Sequence, residues 1–267
     1  MIVFAKTRHQ YDSYRDFWRL VEAARFPTCY LDEIDADSGR TFIFTPMNGE
    51  VMPHLQSLGK ARSTRIVWWN LERPIGDETH ARSLKALEGF IDDIWVSDAW
   101  CAERQPLYRF VPMAGHVDFG TRTHKRSFDF CHLSYLWGRR LDCVAELQRL
   151  GLRSPPAAWG RVDQDQYVAM SHLMLSLHQY AESPIAAPIR FAVAASYAIP
   201  IVSENFAESP YAHGCSFVYA TAGMDQIPGL VSRLLKEPGK LAAAGLDLHK
   251  RLCVQTDFRR AVEHACL

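Results

Sequence analysis

The sequence predicts an α/β protein built from two lobes, each with a parallel sheet, and three observations carry that expectation. Short apolar runs such as Thr41–Thr45, Arg65–Trp69 and Leu173–Leu177 have the length of strands buried on both faces. Segments of helical period lie between such runs, and regular alternation of the two favours parallel strands joined by crossover helices. Gly115–Lys125 (GHVDFGTRTHK) interrupts the alternation with two glycines and no apolar period, which marks a crossing between lobes. The expected division is 1–112, a linker at 113–126, and 127–267.

Bulk numbers narrow the class. The chain has 267 residues, 48% hydrophobic and 22% charged, enough for one large core or two small ones. Basic and acidic residues balance at 30 each, which gives no support to a strongly basic nucleic-acid binder. Seven cysteines (Cys29, Cys101, Cys131, Cys143, Cys215, Cys253, Cys266) form no C-x-x-C, so free thiols in a reducing cytoplasm are expected. Lys6-Thr7-Arg8-His9 cuts short the apolar opening, so no secretion signal is expected. No apolar run approaches the ~20 residues of a membrane span.

In the first lobe Ile2–Ala5 reads as a strand. Ser13–Phe26 reads as a helix, with Tyr14, Phe17, Trp18, Val21 and Ala24 on one face. Thr28–Leu31 is a short strand and Asp32–Arg40 an acidic turn. Thr41–Thr45 runs into Pro46-Met47-Asn48-Gly49-Glu50, loop chemistry at a strand's carboxyl end. Asn48 and Gly49 are candidate ligand contacts there. Glu50 is a candidate general base, a carboxylate at a strand end; a helix N-terminal role is the alternative. Arg65–Trp69 ends in Asn70-Leu71-Glu72-Arg73, where Glu72 is a second candidate base and Arg73 a further candidate contact, or the two form a loop ion pair. Asp77–Phe90 reads as helix, Asp93–Ser97 as strand, Asp98–Arg104 as helix and Tyr108–Pro112 as strand.

The second lobe opens with Ser127–Ser134 as a strand, then Gly138-Arg139-Arg140 and a helix to Leu150. Asp163–Met170 is a short helix. The stretch around which the chain is organised is Leu173–Glu204: a buried strand, a polar turn (His178, Tyr180, Glu182), a helix Arg190–Ala198 stopped by Pro200, and a strand ending in Glu204. That is one right-handed βαβ unit with its polar side chains at a strand's carboxyl end and a helix N-terminus, where anions bind. Arg190 suits a diphosphate because the guanidinium is a fixed fork of donors. Cys215–Ala220 reads as strand, and Asp225–Leu235, Leu241–Cys253 and Thr256–Cys266 as helices, the last expected to fold back on the first lobe.

Strand, polar turn, arginine-bearing small-residue helix and Ala198-Ile199-Pro200-Ile201-Val202-Ser203 together resemble the donor-binding segment of GT-B glycosyltransferases. The strand–Gly138–Arg139–Arg140–helix junction resembles the opening of their donor lobe. The resemblance implies two Rossmann-like lobes facing across a cleft, nucleotide-sugar in the second and acceptor in the first, with Asn48, Gly49 and Arg73 as acceptor contacts and Glu50 or Glu72 taking the acceptor's proton. It implies transfer of a hexose from a donor such as a UDP-sugar, with Arg139, Arg140, His178, Tyr180, Arg190 and Glu204 as donor contacts. Where many retaining members carry two glutamates, this chain has Ile185 and Val193, leaving Glu182 and Glu204 as stand-ins and an inactive sugar-nucleotide binder as the alternative. The short first lobe resembles compact members from bacterial viruses, some of which glycosylate hydroxymethylated pyrimidines in DNA, and such a base is the leading implied acceptor. A surface polysaccharide or lipid-linked glycan is the other implied acceptor.

No metal or further cofactor is expected. Asp163-Gln164-Asp165 spells a D-x-D but begins a helix, where aspartates cap. There is no G-x-G-x-x-G after a strand, no P-loop and no zinc-spaced cluster. The basic stretches Gly59–Arg65 and Arg122–Arg126 read as solvated loops or, on one rim, as a track for a phosphate backbone with Trp68, Trp69, Trp100 or Trp137 receiving a base, or as a face for an anionic membrane surface.

Overall fold

A computed structural model describes residues 1–9, 14–45, 49–60, 62–71, 78–120, 125–156, 164–181, 187–206, 218–221 and 223–267. The chain divides into two compact units, Met1–Pro112 with Arg259–Leu267, and Met113–Phe258.

Among the described residues the first unit holds a sheet of β1 (Ile2–Lys6), β2 (Thr28–Tyr30), β3 (Thr41–Phe44), β4 (Arg65–Asn70), β5 (Asp93–Val96) and β6 (Tyr108–Phe110). Their order is β2-β1-β3-β4-β5-β6 and every pairing is parallel. Crossovers are made by α1 (Arg15–Ala23), α2 (Val51–Leu58), α3 (Glu78–Leu87) and α4 (Ala99–Arg104). Alternation along each strand feeds two cores. Ile66 and Trp68 join Phe42, Phe44, Val51 and Leu55 on one face. Trp69 faces the other way, edge-on to Phe17 and Trp95 at 5.6 and 5.5 Å between ring centroids. Trp68 and Trp69 are therefore core residues, not receptors for a base. Helix α2 enters the sequence reading only as the helix N-terminal alternative for Glu50, because Pro53 masks it; in a helix's first turn proline loses no bond.

The second unit's described sheet is β10-β9-β8-β7, again all parallel: β7 (Phe128–His132), β8 (Ser171–Ser176), β9 (Ile201–Glu204) and β10 (Val218–Thr221). One face packs Phe130, Leu173, Leu175 and Val202 against α5 (Arg139–Arg149) and α8 (Ile227–Leu234). Helix α7 (Pro188–Tyr197) is buried along Phe191–Tyr197, with Pro188 pre-setting its first turn. Helices α6 (Gln164–Ala169) and α9 (Pro238–His249) and a π-helical stretch Lys250–Gln255 complete the unit. Asp165 lies in the first turn of α6.

The described residues of the expected linker, 113–120 and 125–126, fall in the second unit. The Gly115 N–H donates to the Leu252 carbonyl at 2.8 Å, and the Phe258 N–H to the Gly115 carbonyl at 2.9 Å. A methyl group at Gly115 would come within 2.6 Å of Ser196 Oγ and Cys253 Sγ, so only glycine fits. The terminal helix α10 (Phe258–Cys266) lies against the first unit: Arg259 Nη1 donates to the Ala24 carbonyl at 2.9 Å and stacks over Phe26.

Candidate functional site

Parallel strands point their carboxyl ends the same way, so in the second unit β7, β8 and β9 deliver residues 132–134, 177–178 and 204 to one edge. Three arginines converge there. Arg139, the first residue of α5, donates through Nη1 and Nη2 to Glu204 Oε2 and Oε1 at 3.1 and 2.6 Å. Arg140 Nε donates to the Leu177 carbonyl at 3.1 Å. Arg190, in the first turn of α7, gives Nε to the Leu133 carbonyl at 3.1 Å and Nη1 to the Leu177 carbonyl at 3.0 Å. It thereby ties the end of β7 to the end of β8.

Charge is unbalanced at this edge. Among the described residues Glu204 is ion-paired to Arg139, and neither Arg140 nor Arg190 has a carboxylate partner. Burial, with the like charge of Arg140, pulls the Arg190 guanidinium down to about 9, still charged at neutral pH. Burial also lowers Arg140, with Arg139 adding to the effect and Glu204 opposing it. A buried and a half-buried cation whose hydrogen bonds go to main-chain carbonyls make a site that an anion stabilises. The α7 N-terminus adds a positive dipole end, although Pro188 has no N–H and the Arg190 N–H already donates to the Ala187 carbonyl at 3.0 Å.

His178 is 5% exposed, and among the described residues neither ring nitrogen has a partner. Burial lowers it to about 4, with Arg190, Arg139 and Arg140 adding and Glu204 opposing, so the ring is neutral at pH 7. A neutral imidazole offers one donor and one acceptor, neither engaged by a described residue. Tyr180 is exposed at the rim, its hydroxyl accepting from Gln179 Nε2 at 3.0 Å. His132, at the end of β7, was not singled out by the sequence. Burial and then Arg190 and Arg140 hold it well below its ordinary value, and its ring meets Ser134 Oγ.

The first unit's candidates stand differently. Glu50 precedes α2 and its two oxygens accept the main-chain N–H groups of Arg8 (2.7 Å) and His9 (3.0 Å). That carboxylate holds the loop after β1 to the loop after β3, the point where strand order reverses, so the geometry supports a structural role over that of a base. Gly49 lies in the turn before it. Asn48, Glu72, Arg73 and Glu182 lie outside the described residues. Asp98, after β5, was read only as the start of a helix. Its Oδ1 caps Cys101 N–H at 3.2 Å, while the buried Oδ2 has no partner among the described residues. Burial raises Asp98 to about 6 although it is an N-cap. Among the described residues no group of His, Cys, Asp and Glu could hold a metal ion.

No protein-family model matches the sequence, and no curated protein matches it. Solved structures do. HepE from Anabaena in complex with UDP-glucose superposes with a TM-score of 0.62 over 99% of both chains at 12% identity. T4 phage BGT in complex with its UDP-glucose substrate gives 0.55 over 99% of both chains at 9% identity. TarM, known from S. aureus, gives 0.62 at 8% identity over 87% of this chain, which spans 55% of the TarM chain. The chain has the GT-B fold. Within a GT-B chain, the arginine edge belongs to the second unit and Asp98 to the first.

Proposed function

We propose that this GT-B protein is a glycosyltransferase that moves a hexose from a UDP-sugar to a hydroxyl acceptor. The observation that carries the reading is the pair of buried Arg140 and half-buried Arg190, cationic at the carboxyl ends of parallel strands and ion-paired to no carboxylate among the described residues. A nucleoside diphosphate supplies the missing negative charge, and two of the full-length neighbours were solved with UDP-glucose. In the reaction the bond between the sugar's anomeric carbon and the diphosphate oxygen breaks, and the acceptor oxygen bonds to that carbon. UDP leaves with the electron pair, stabilised by Arg139, Arg140 and Arg190 and by the α7 N-terminus. The acceptor's proton goes to Asp98, whose unpartnered oxygen and raised pKa suit a base near neutral pH. His178 donates to the donor's phosphate or sugar through its neutral ring.

A glycan hydroxyl is the favoured acceptor. Three of the basic residues that would follow a DNA backbone are bound within the protein. Arg62 is bound to the Gly59 and Phe90 carbonyls and to Asp92, Arg65 to Asp93, and Arg126 to the Ala169 and Ser171 carbonyls. A hydroxymethylated pyrimidine in DNA is the second reading, favoured by the full-length likeness to T4 phage BGT. No helix among the described residues is long and apolar enough to cross a membrane.

The test is UDP release from UDP-glucose and related donors, with an oligosaccharide mixture in one arm and hydroxymethylcytosine-containing DNA in the other. Release stimulated by the oligosaccharides is expected. A mass increase on the digested nucleosides moves the acceptor to DNA. UDP-sugar binding without release in either arm overturns transfer and leaves a sugar-nucleotide-binding protein.

A further inference from the structure

We propose that Glu204 is a positioning residue: its carboxylate fixes Arg139 and the Leu177–His178 turn for the donor's diphosphate, instead of binding the donor's ribose. The inference rests on the donor-site reading above and concerns what holds that site in shape. A carboxylate has about four acceptor positions. Three of those on Glu204 are taken by Arg139 Nη1 at 3.1 Å, Arg139 Nη2 at 2.6 Å and the His178 N–H at 2.7 Å. The residue is 4% exposed, so it has little surface to offer two ribose hydroxyls. The Arg139 contact is the two-pronged fork, which fixes the plane of the guanidinium as well as its position. Arg139 Nη1 also reaches the His178 carbonyl at 3.4 Å, while Arg140 and Arg190 both donate to the adjoining Leu177 carbonyl. One carboxylate thus anchors the main chain on which all three arginines meet.

Calorimetric titration of the full chain with inorganic pyrophosphate, UDP and 2′,3′-dideoxy-UDP separates the two roles. The variants are Glu204→Gln, Arg139→Ala and their combination, each checked by thermal melting. The expected result is that Glu204→Gln weakens pyrophosphate and UDP by the same factor, about tenfold or more, and that this factor disappears when Arg139 is already alanine. A loss confined to UDP, with dideoxy-UDP no longer distinguished from it, would establish a ribose contact and overturn the proposal. A factor that persists without Arg139 would also overturn it. So would tighter pyrophosphate binding, which would mean that Glu204 competes with the anion. If the amide variant does not fold, Glu204→Asp replaces it: a loss shared by pyrophosphate and UDP supports positioning, and one seen with UDP alone refutes it. Wild-type protein that binds neither ligand would instead sink the donor-site reading itself.

Discussion

Arg190→Ala is expected to weaken UDP binding by about two orders of magnitude or more, since each hydrogen bond to a charged group contributes roughly 1.5–3 kcal/mol. The loss has two sources. The guanidinium that would face the diphosphate disappears, and so does the brace between the Leu133 and Leu177 carbonyls. Leaving those carbonyls unpaired costs about 1–3 kcal/mol each, so the melting temperature falls as well. Arg190→Lys separates charge from shape. It keeps the positive charge but has no planar fork to span two strand ends, and it is expected to recover only a minor part of the affinity. Calorimetry on folded variants checks both. UDP binding within about twofold of wild type in the alanine variant would remove the arginine edge from the donor site.

Asp98→Asn is expected to lower kcat by about 10²–10⁴-fold while leaving UDP-sugar binding unchanged, the pattern of a lost general base. Wild-type activity should fall as pH drops through about 6, where Asp98 takes up its proton. The same substitution should stabilise the protein at alkaline pH. Burial raises the folded-state value, so the folded chain holds this proton more tightly than the unfolded chain does. The stability conferred is complete below the unfolded value of about 3.9 and is lost as pH rises through about 6. An amide has no charge to bury, and it keeps the cap on Cys101. The variant should therefore gain on the order of 2 kcal/mol at pH 8 and almost nothing at pH 4. Denaturant melts at the two pH values read this directly. Unchanged kcat would return the search for the base to the loops that follow β3 and β4.

Much of the fold was legible because buried parallel strands leave continuous apolar runs, and Thr41–Phe44, Arg65–Asn70 and Ser171–Ser176 announce themselves that way. Helix α2 did not, since Pro53 in its first turn looks like a breaker. On the donor side, strand-to-helix junctions pointed to Arg139, Arg140, His178, Arg190 and Glu204, and the structure gathers them at one edge. What local pattern could not supply was long-range pairing. Glu50 looks like a free loop acid until Arg8 and His9, some forty positions earlier, are seen to claim its oxygens. Glu204 looks like an unengaged strand-end acid until its contacts with Arg139 and the His178 N–H are seen. Asp98 and His132 were hidden for the opposite reason: an aspartate before a helix and a histidine inside a strand are commonplace, and only burial sets them apart. Arg62, Arg65 and Arg126 read as solvated or DNA-tracking charges, yet each is spent within its own unit.

A crystal structure of the chain with UDP tests the central claim most directly. The account predicts diphosphate oxygens about 3 Å from the guanidinium nitrogens of Arg140 and Arg190, with His178 turned toward the same group. A diphosphate bound anywhere else on the chain, with these arginines still on the Leu133 and Leu177 carbonyls alone, would contradict it.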